Sequence, residues 1–304
     1  MIKNANFLVT EYCNSRCMNC NIWKSKESKD LSVEEIAELF SLKELQSLVE
    51  LGISGGEPFL RKDIEEVLMT IINKTSNLKT IYLTTNGTMK KQVIASLELL
   101  TKYIENINLG VSIDGDEQTH NKIRGINCYQ KAIELVKEVK RLFPTVNVSI
   151  SLTINHMNCN IFSLQHIKKV SEELMCDFSF RLANVNRSYY HNEEKDFKFE
   201  DEMKRILVEF IIENKIDDKY MREQLYFLLT GRVPLMYDYQ NKKLLCQAGK
   251  KFVFIHSNGD IFPCINSNKK IGDYKNGITG VENELMEHCP CMTECTIWPM
   301  LTCE

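Results

Sequence analysis

Three thiols within eight residues, Cys13, Cys17 and Cys20 in a Cys-x3-Cys-x2-Cys run, have the types and spacing to hold a metal. A closed structural zinc site takes four ligands, and a cubane iron-sulfur cluster has four irons to ligate. A compact trio with no fourth Cys or His nearby therefore leaves one metal position open, and an open position binds a substrate or cofactor. Taken alone, the trio has a zinc site or an incidental grouping as its lesser readings. Six more cysteines, Cys246, Cys264, Cys289, Cys291, Cys295 and Cys303, fall in the C-terminal part of the chain, with only Cys128, Cys159 and Cys176 between the groups. Nothing before Tyr12 has the basic-then-apolar profile of a signal peptide. A cytoplasmic chain with 12 cysteines is expected to use them as metal ligands rather than in disulfides, and two separate metal sites are implied.

Positioning the first trio requires a scaffold, and residues 5–183 alternate short β-like runs with helical patterns. Strands are predicted over residues 6–10, 48–54, 80–84, 107–113, 146–154 and 178–182, each rich in β-branched or aromatic residues. Between them, Ile64, Val67, Leu68, Ile71 and Ile72 share one helix face, as do Ala132, Leu135, Val136 and Val139. Ser32 followed by Glu35 is a capping box. Six βα units without a dinucleotide fingerprint fit an open, partial (β/α)6 barrel of TIM type, with function at the C-terminal strand ends. The trio follows the first strand, where that architecture puts its site.

The expected organisation is a barrel over residues 1–198, a helical connection over 199–244 with helices near 203–212 and 222–229, and a small Cys-rich module over 245–304. That module opens with a hairpin, residues 252–256 and 260–263, turning at Asn258-Gly259. The hairpin should bring Cys246 and Cys264 together at its base. A polar loop over 184–191, carrying Arg187, Tyr189 and Tyr190, is expected to face the opening between barrel and module.

Composition narrows the classes. Hydrophobic residues at 43% and charged residues at 26% suit a packed soluble domain. Lys+Arg of 38 against Asp+Glu of 41 gives a formal charge of -3, without the basic surplus of a nucleic-acid binder. No apolar run reaches about 18 residues, so no membrane span is expected.

The Cys13-x3-Cys17-x2-Cys20 motif resembles that of the radical S-adenosylmethionine (SAM) enzymes, in which three cysteines hold a [4Fe-4S] cluster and its fourth iron chelates the cofactor. The resemblance extends over most of the barrel. Ser54-Gly55-Gly56-Glu57-Pro58 matches the family's glycine-glycine-glutamate motif, which implies that Gly55, Gly56 and Glu57 hold the cofactor's amino group. Thr84-Thr85-Asn86-Gly87 ends the third strand, and Val111-Ser112-Ile113-Asp114-Gly115 ends the fourth, before His120 and Arg124-Gly125. The resemblance implies Ser112 and Arg124 as carboxylate binders, a guanidinium being suited to paired hydrogen bonds. Thr84, Asn86 and Asn155 would lie along the rest of the cofactor, although Asn86 and Asn155 serve equally as turn or cap side chains. Asn19 departs from the family pattern, where an aromatic residue often precedes the third cysteine.

The C-terminal cysteines are similar to the auxiliary-cluster modules called SPASM and twitch. One auxiliary [4Fe-4S] cluster on Cys246, Cys264, Cys291 and Cys295 is the simpler assignment, with Cys289 and Cys303 as further candidates and a zinc knuckle as the other reading. Cys176 reads as a small hydrophobe. Cys128 and Cys159 follow strands and could donate a hydrogen atom to a substrate radical. None of the six histidines forms a helix-spaced metal pair, so no ligand role is assigned to them.

The resemblance implies reductive cleavage of SAM to a 5'-deoxyadenosyl radical, which abstracts hydrogen from an unactivated carbon, with electrons from a reduced flavodoxin- or ferredoxin-type donor. The expected substrate is a peptide or protein undergoing oxidation or cross-linking. The cysteine trio at residue 13 leaves no room ahead of it for the leader-peptide domain that many such members carry, which keeps dehydrogenation of a sugar or aminocyclitol alcohol as the alternative. A non-catalytic electron carrier would leave Gly55, Gly56, Glu57, Ser112 and Arg124 without a purpose.

Overall fold

A computed structural model of the chain describes residues 1–25, 29–187, 189–232, 237–238, 240, 243–244 and 246–278. Six parallel strands form an open arc in chain order: β1 (Asn4–Thr10), β2 (Glu50–Gly55), β3 (Thr80–Thr85), β4 (Asn106–Ser112), β5 (Asn147–Ile154) and β6 (Asp177–Leu182). Between them run α1 (Val33–Phe40), α2 (Ile64–Lys74), α3 (Lys90–Leu100), then α4 (Glu117–Arg124) with α5 (Tyr129–Leu142), and α6 (Ile161–Glu173). The partial barrel expected from the βα alternation is therefore present. β2 starts two residues later than its apolar run suggests, because the Leu48 amide is spent on the Leu45 carbonyl in the preceding turn.

The predicted helix faces are the buried ones: Val67, Leu68 and Ile71 of α2, and Ala132, Leu135, Val136 and Val139 of α5, join the strand interiors in one core. Ser32 and Glu35 close a reciprocal capping box at α1, the Ser32 hydroxyl accepting from the Glu35 amide at 3.2 Å and the Glu35 carboxylate from the Ser32 amide at 2.9 Å.

The arc does not close β6 onto β1, and each free edge is covered. Beyond β6 come α7 (Asp201–Glu213) and α8 (Lys219–Thr230). Gln224 of α8 is buried and bonds β6 like a strand, its Oε1 accepting from the Leu182 amide at 2.8 Å and its Nε2 donating to the Phe180 carbonyl at 3.1 Å. A backbone edge with unpaired amides invites association, and an amide side chain satisfies it. After the short antiparallel pair β7 (Tyr237–Asp238) and β8 (Lys243–Leu244), β9 (Phe252–Ile255) lies parallel to β1, with Asn4 opposite Phe252 and Phe7 opposite Ile255. Antiparallel β10 (Asp260–Phe262), β11 (Gly272–Asp273) and β12 (Gly277–Ile278) continue the same sheet outward. The predicted hairpin is thus β9–β10, turning through Gly259 at φ +84°. The described part of the C-terminal segment extends the barrel sheet rather than standing apart from it. Among the described residues no helix is long and apolar enough to cross a membrane.

Candidate metal and cofactor site

The C-terminal ends of β1 to β6 surround an open-mouthed cleft. Cys13, Cys17, Cys20, Gly55, Gly56, Thr84, Asn86, Ser112 and Arg124 all line it, so residues spread over more than 100 positions converge on one space.

The three thiols occupy the loop after β1. The Ile22 amide donates to the Cys20 sulfur at 3.4 Å, and the Ser15 amide bonds the Cys13 sulfur, each from two residues further on. Arg124 Nη1 donates to the Cys17 sulfur at 3.8 Å. Burial nevertheless pushes Cys13 and Cys20 up to about 12, and Cys17 is likewise raised by burial. Thiols surrounded by aimed N–H dipoles and yet held protonated by desolvation suit a metal, whose charge deprotonates a coordinating thiol outright. The donor set fits a cluster held by three thiolates with one position left over.

Behind the thiols stands a buried ion pair. Arg124 Nε donates to Asp114 Oδ2 at 2.5 Å, and Asp114 Oδ1 accepts from the Thr153 amide at 3.0 Å, which ties the end of β4 to β5. Burial would lower the Arg124 pKa, but Asp114 and Cys17 outweigh it and the value is raised. With Nε on Asp114 and Nη1 on Cys17, the guanidinium's Nη2 is left for the cleft. Arg181, at the end of β6, adds a second cation; its Nε donates to the Thr153 hydroxyl at 3.2 Å, and its guanidinium lies 5.8 Å from the Tyr190 ring.

Other expected residues lie behind the cleft wall. Glu57 is fully buried, with its carboxylate turned to the next loop: Oε2 accepts from the Asn86 amide at 2.7 Å and Oε1 from the Thr85 hydroxyl at 2.8 Å. Burial raises its pKa to about 7 against those hydrogen bonds. The Asn86 side chain in turn donates to Asn14 Oδ1 and Ser15 Oγ, so Glu57 and Asn86 brace the cysteine loop from below. Asn155 is buried, and its Oδ1 caps the Met157 amide. Cys128 and Cys159 are not among the cleft-lining residues. Cys159 Sγ donates to the Met203 carbonyl at 3.6 Å, and burial pushes the Cys128 and Cys159 thiols up to about 11 and about 12.

Cys128 instead faces His120, whose Nε2 lies 3.1 Å from its sulfur. His120 Nδ1 accepts the Asp114 amide at 3.1 Å, which assigns the hydrogen to Nε2 and keeps the ring neutral. Burial, followed by the Arg124 charge, holds its pKa down at about 4. A histidine depressed in the folded state stabilises the fold above its unfolded pKa, about 6.5, and that contribution drains away as pH falls from there toward 4. Between pH 7.5 and 5 it should cost about 2 kcal/mol. His120→Asn is expected to remove this part of the acid sensitivity in denaturant unfolding at the two pH values, and an equal loss in variant and parent would refute it.

The polar loop after β6 does reach between the two halves. Tyr189 and Tyr190 line the cleft, the Tyr189 hydroxyl donates to the Gly55 carbonyl at 3.3 Å, and its ring packs edge-on against Phe254 of β9 at 6.0 Å. Cys246 and Cys264 are buried in the same small apolar cluster as Leu8, Tyr189 and Phe254, with Cys13 and Cys20 packed against it. The Ala248 amide donates to the Cys246 sulfur at 3.4 Å, again from two residues further on. Cys289, Cys291, Cys295 and Cys303 lie outside the described residues.

A family model described as the Radical SAM superfamily matches residues 7–158, half of the chain. A probable GTP 3',8-cyclase of Methanococcus aeolicus is 32% identical over 45% of this chain and 44% of its own. The antilisterial bacteriocin subtilosin biosynthesis protein AlbA of Bacillus subtilis is 30% identical over 40% of this chain and 27% of its own. The chain thus spans less than half the length of either relative. Streptococcus suis SuiB bound to S-adenosylmethionine superposes with a TM-score of 0.66 at 18% identity, over 91% of this chain and 64% of SuiB, a likeness of fold; SuiB bound to the precursor peptide SuiA gives the same TM-score.

Proposed function

The chain belongs to the radical SAM superfamily, and from that premise we propose that it abstracts hydrogen from a peptide or protein substrate and completes an oxidative or cross-linking modification with help from a second metal centre. Superfamily members use SAM and a [4Fe-4S] cluster. When bound, these supply a reducing electron and a 5'-deoxyadenosyl radical. Cys13, Cys17 and Cys20 would hold the cluster. Ser112 and Nη2 of Arg124 would take the cofactor's carboxylate, and the backbone of Gly55 and Gly56 its amino group. Glu57 acts through the Asn86 loop, which it fastens under the cysteines. Cys246 and Cys264, with Cys289, Cys291, Cys295 or Cys303, would hold an auxiliary [4Fe-4S] cluster within a module over residues 245–304.

The observation that carries this reading is the Tyr189–Tyr190 loop, which lines the cleft on one side and packs on β9 beside Cys246 and Cys264 on the other. A substrate lying along it reaches both metal sites, and aromatic faces accept side chains of many shapes. The peptide-bound fold relative and AlbA support the same class. GTP fits less well: its triphosphate carries about four negative charges calling for several cations, while among the described residues the lining offers two arginines, one already paired with Asp114.

Reduced, cluster-loaded enzyme with SAM is expected to release 5'-deoxyadenosine, and to take up deuterium from a labelled peptide. Deuterium from GTP or an amino-sugar alcohol, and from no peptide, would overturn the substrate class. Absence of 5'-deoxyadenosine would overturn the site assignment itself.

A further inference from the structure

Glu11 follows β1, His191 lies in the loop after β6, and His256 follows β9. Nothing in their local spacing connects them, yet Glu11 Oε1 is 3.1 Å from His191 Nε2 and 3.2 Å from His256 Nε2, and the three donor atoms lie within 4.8 Å of one another. None of the three lines the cofactor cleft. We propose that Glu11, His191 and His256 form a third metal site, for a single zinc-class divalent ion.

Zinc bonds imidazole nitrogen and carboxylate oxygen at about 2.0 to 2.1 Å, so adjacent ligands of a tetrahedral ion are separated by roughly 3.3 Å. The Glu11–His191 and Glu11–His256 separations already match, and an ion would take the place of the two N–H protons. The other carboxylate oxygen, Oε2, accepts the Ser25 hydroxyl at 2.7 Å. One oxygen held by an outer partner while the other faces two imidazoles is how a ligating carboxylate is oriented. Hydrogen bonding alone leaves a flaw: both imidazoles share one oxygen, and His256 Nδ1 is buried with no partner among the described residues. Two imidazoles and a carboxylate, with a fourth position for water, are a known zinc donor set. The ion would pin the start of the cysteine loop, the Tyr189–Tyr190 loop and the β9–β10 hairpin to one another.

The test is independent of the substrate reading, because it counts metal without turnover. Anaerobically reconstituted protein, cleared of loosely bound metal, is titrated with Zn²⁺ against a colorimetric chelator, with zinc and iron measured per chain. One zinc per chain beyond the iron is expected. The His191→Ala/His256→Ala double variant should bind it at least about 100-fold more weakly with iron unchanged, since losing even an outer-shell partner of a metal site costs about 10- to 100-fold. Glu11→Gln guards against misfolding, since it keeps an acceptor for both imidazoles and removes the anion; it should retain iron, lose the zinc, and lose the zinc-dependent rise in unfolding temperature seen in the parent. Zinc held equally by the double variant would belong to thiolates and overturn the site. So would the absence of competitive zinc binding, or loss of iron in place of zinc.

Discussion

Arg124→Ala is expected to destabilise the fold by about 3–5 kcal/mol, because it strands a charge that cannot reach water. Asp114 is 0% exposed, and its Oδ2 relies on the Arg124 Nε 2.5 Å away. Breaking a buried pair from one side costs more than the pair is worth, since the remaining carboxylate keeps its desolvation penalty. For a chain of this size the loss corresponds to a fall of about 5–8 °C in unfolding temperature. The same substitution should weaken SAM binding by about 10- to 100-fold through the lost charge-assisted hydrogen bond. A second substitution separates the two effects: Asp114→Asn in the Arg124→Ala background should recover stability without recovering affinity. A double variant no more stable than Arg124→Ala would show that the stranded carboxylate is not the source of the loss.

Gly56→Ala should be at least as damaging, for a reason of space alone. A Cβ there would lie 2.2 Å from the Tyr12 carbonyl oxygen and 2.7 Å from that of Glu11, both backbone atoms. Atoms of a packed backbone cannot give by the ångström this requires, so the segment leading into Cys13 must move. In doing so it breaks the bonds that hold β1's end to β2's, from the Gly56 amide to the Thr10 carbonyl and from the Glu57 amide to the Tyr12 carbonyl, each 2.8 Å. About 3 kcal/mol or more should be lost, and iron bound by the first cysteine group should fall to a small fraction of the parent's. Full iron incorporation in Gly56→Ala would mean that the loop tolerates displacement and that its glycine serves another end.

The scaffold was legible because its code is local. The β-branched runs that became β1 to β6, the helix faces at Val67 and Val136, and the Ser32–Glu35 box each depend on neighbours within a few positions. The cysteine trio and the glycines were legible through family likeness. What escaped were pairings made by the curved sheet. Asp114 was read only as part of the fourth-strand motif, although it orients Arg124. A search for helix-spaced histidines passes over His191 and His256, which meet Glu11 from segments that follow three different strands. The Glu57 carboxylate turns to the Thr85 hydroxyl and the Asn86 amide, a side-chain direction no motif specifies.

The parallel pairing of β1 with β9 bears on the order in which the molecule assembles. β1 leaves the ribosome before the other strands described, but one of its two neighbours follows some 240 residues later. Until then the strand that carries the cysteine loop has a bare flank, open to pairing with another nascent chain. Closing so long a loop is among the slow steps in folding a sheet. Docking of β9 should therefore come late, after β1 to β6 have formed their arc, and metal loaded before that moment would enter a loop braced on one side only. The cluster proposed for Cys13, Cys17 and Cys20 would accordingly be best inserted only once the C-terminal hairpin has been made.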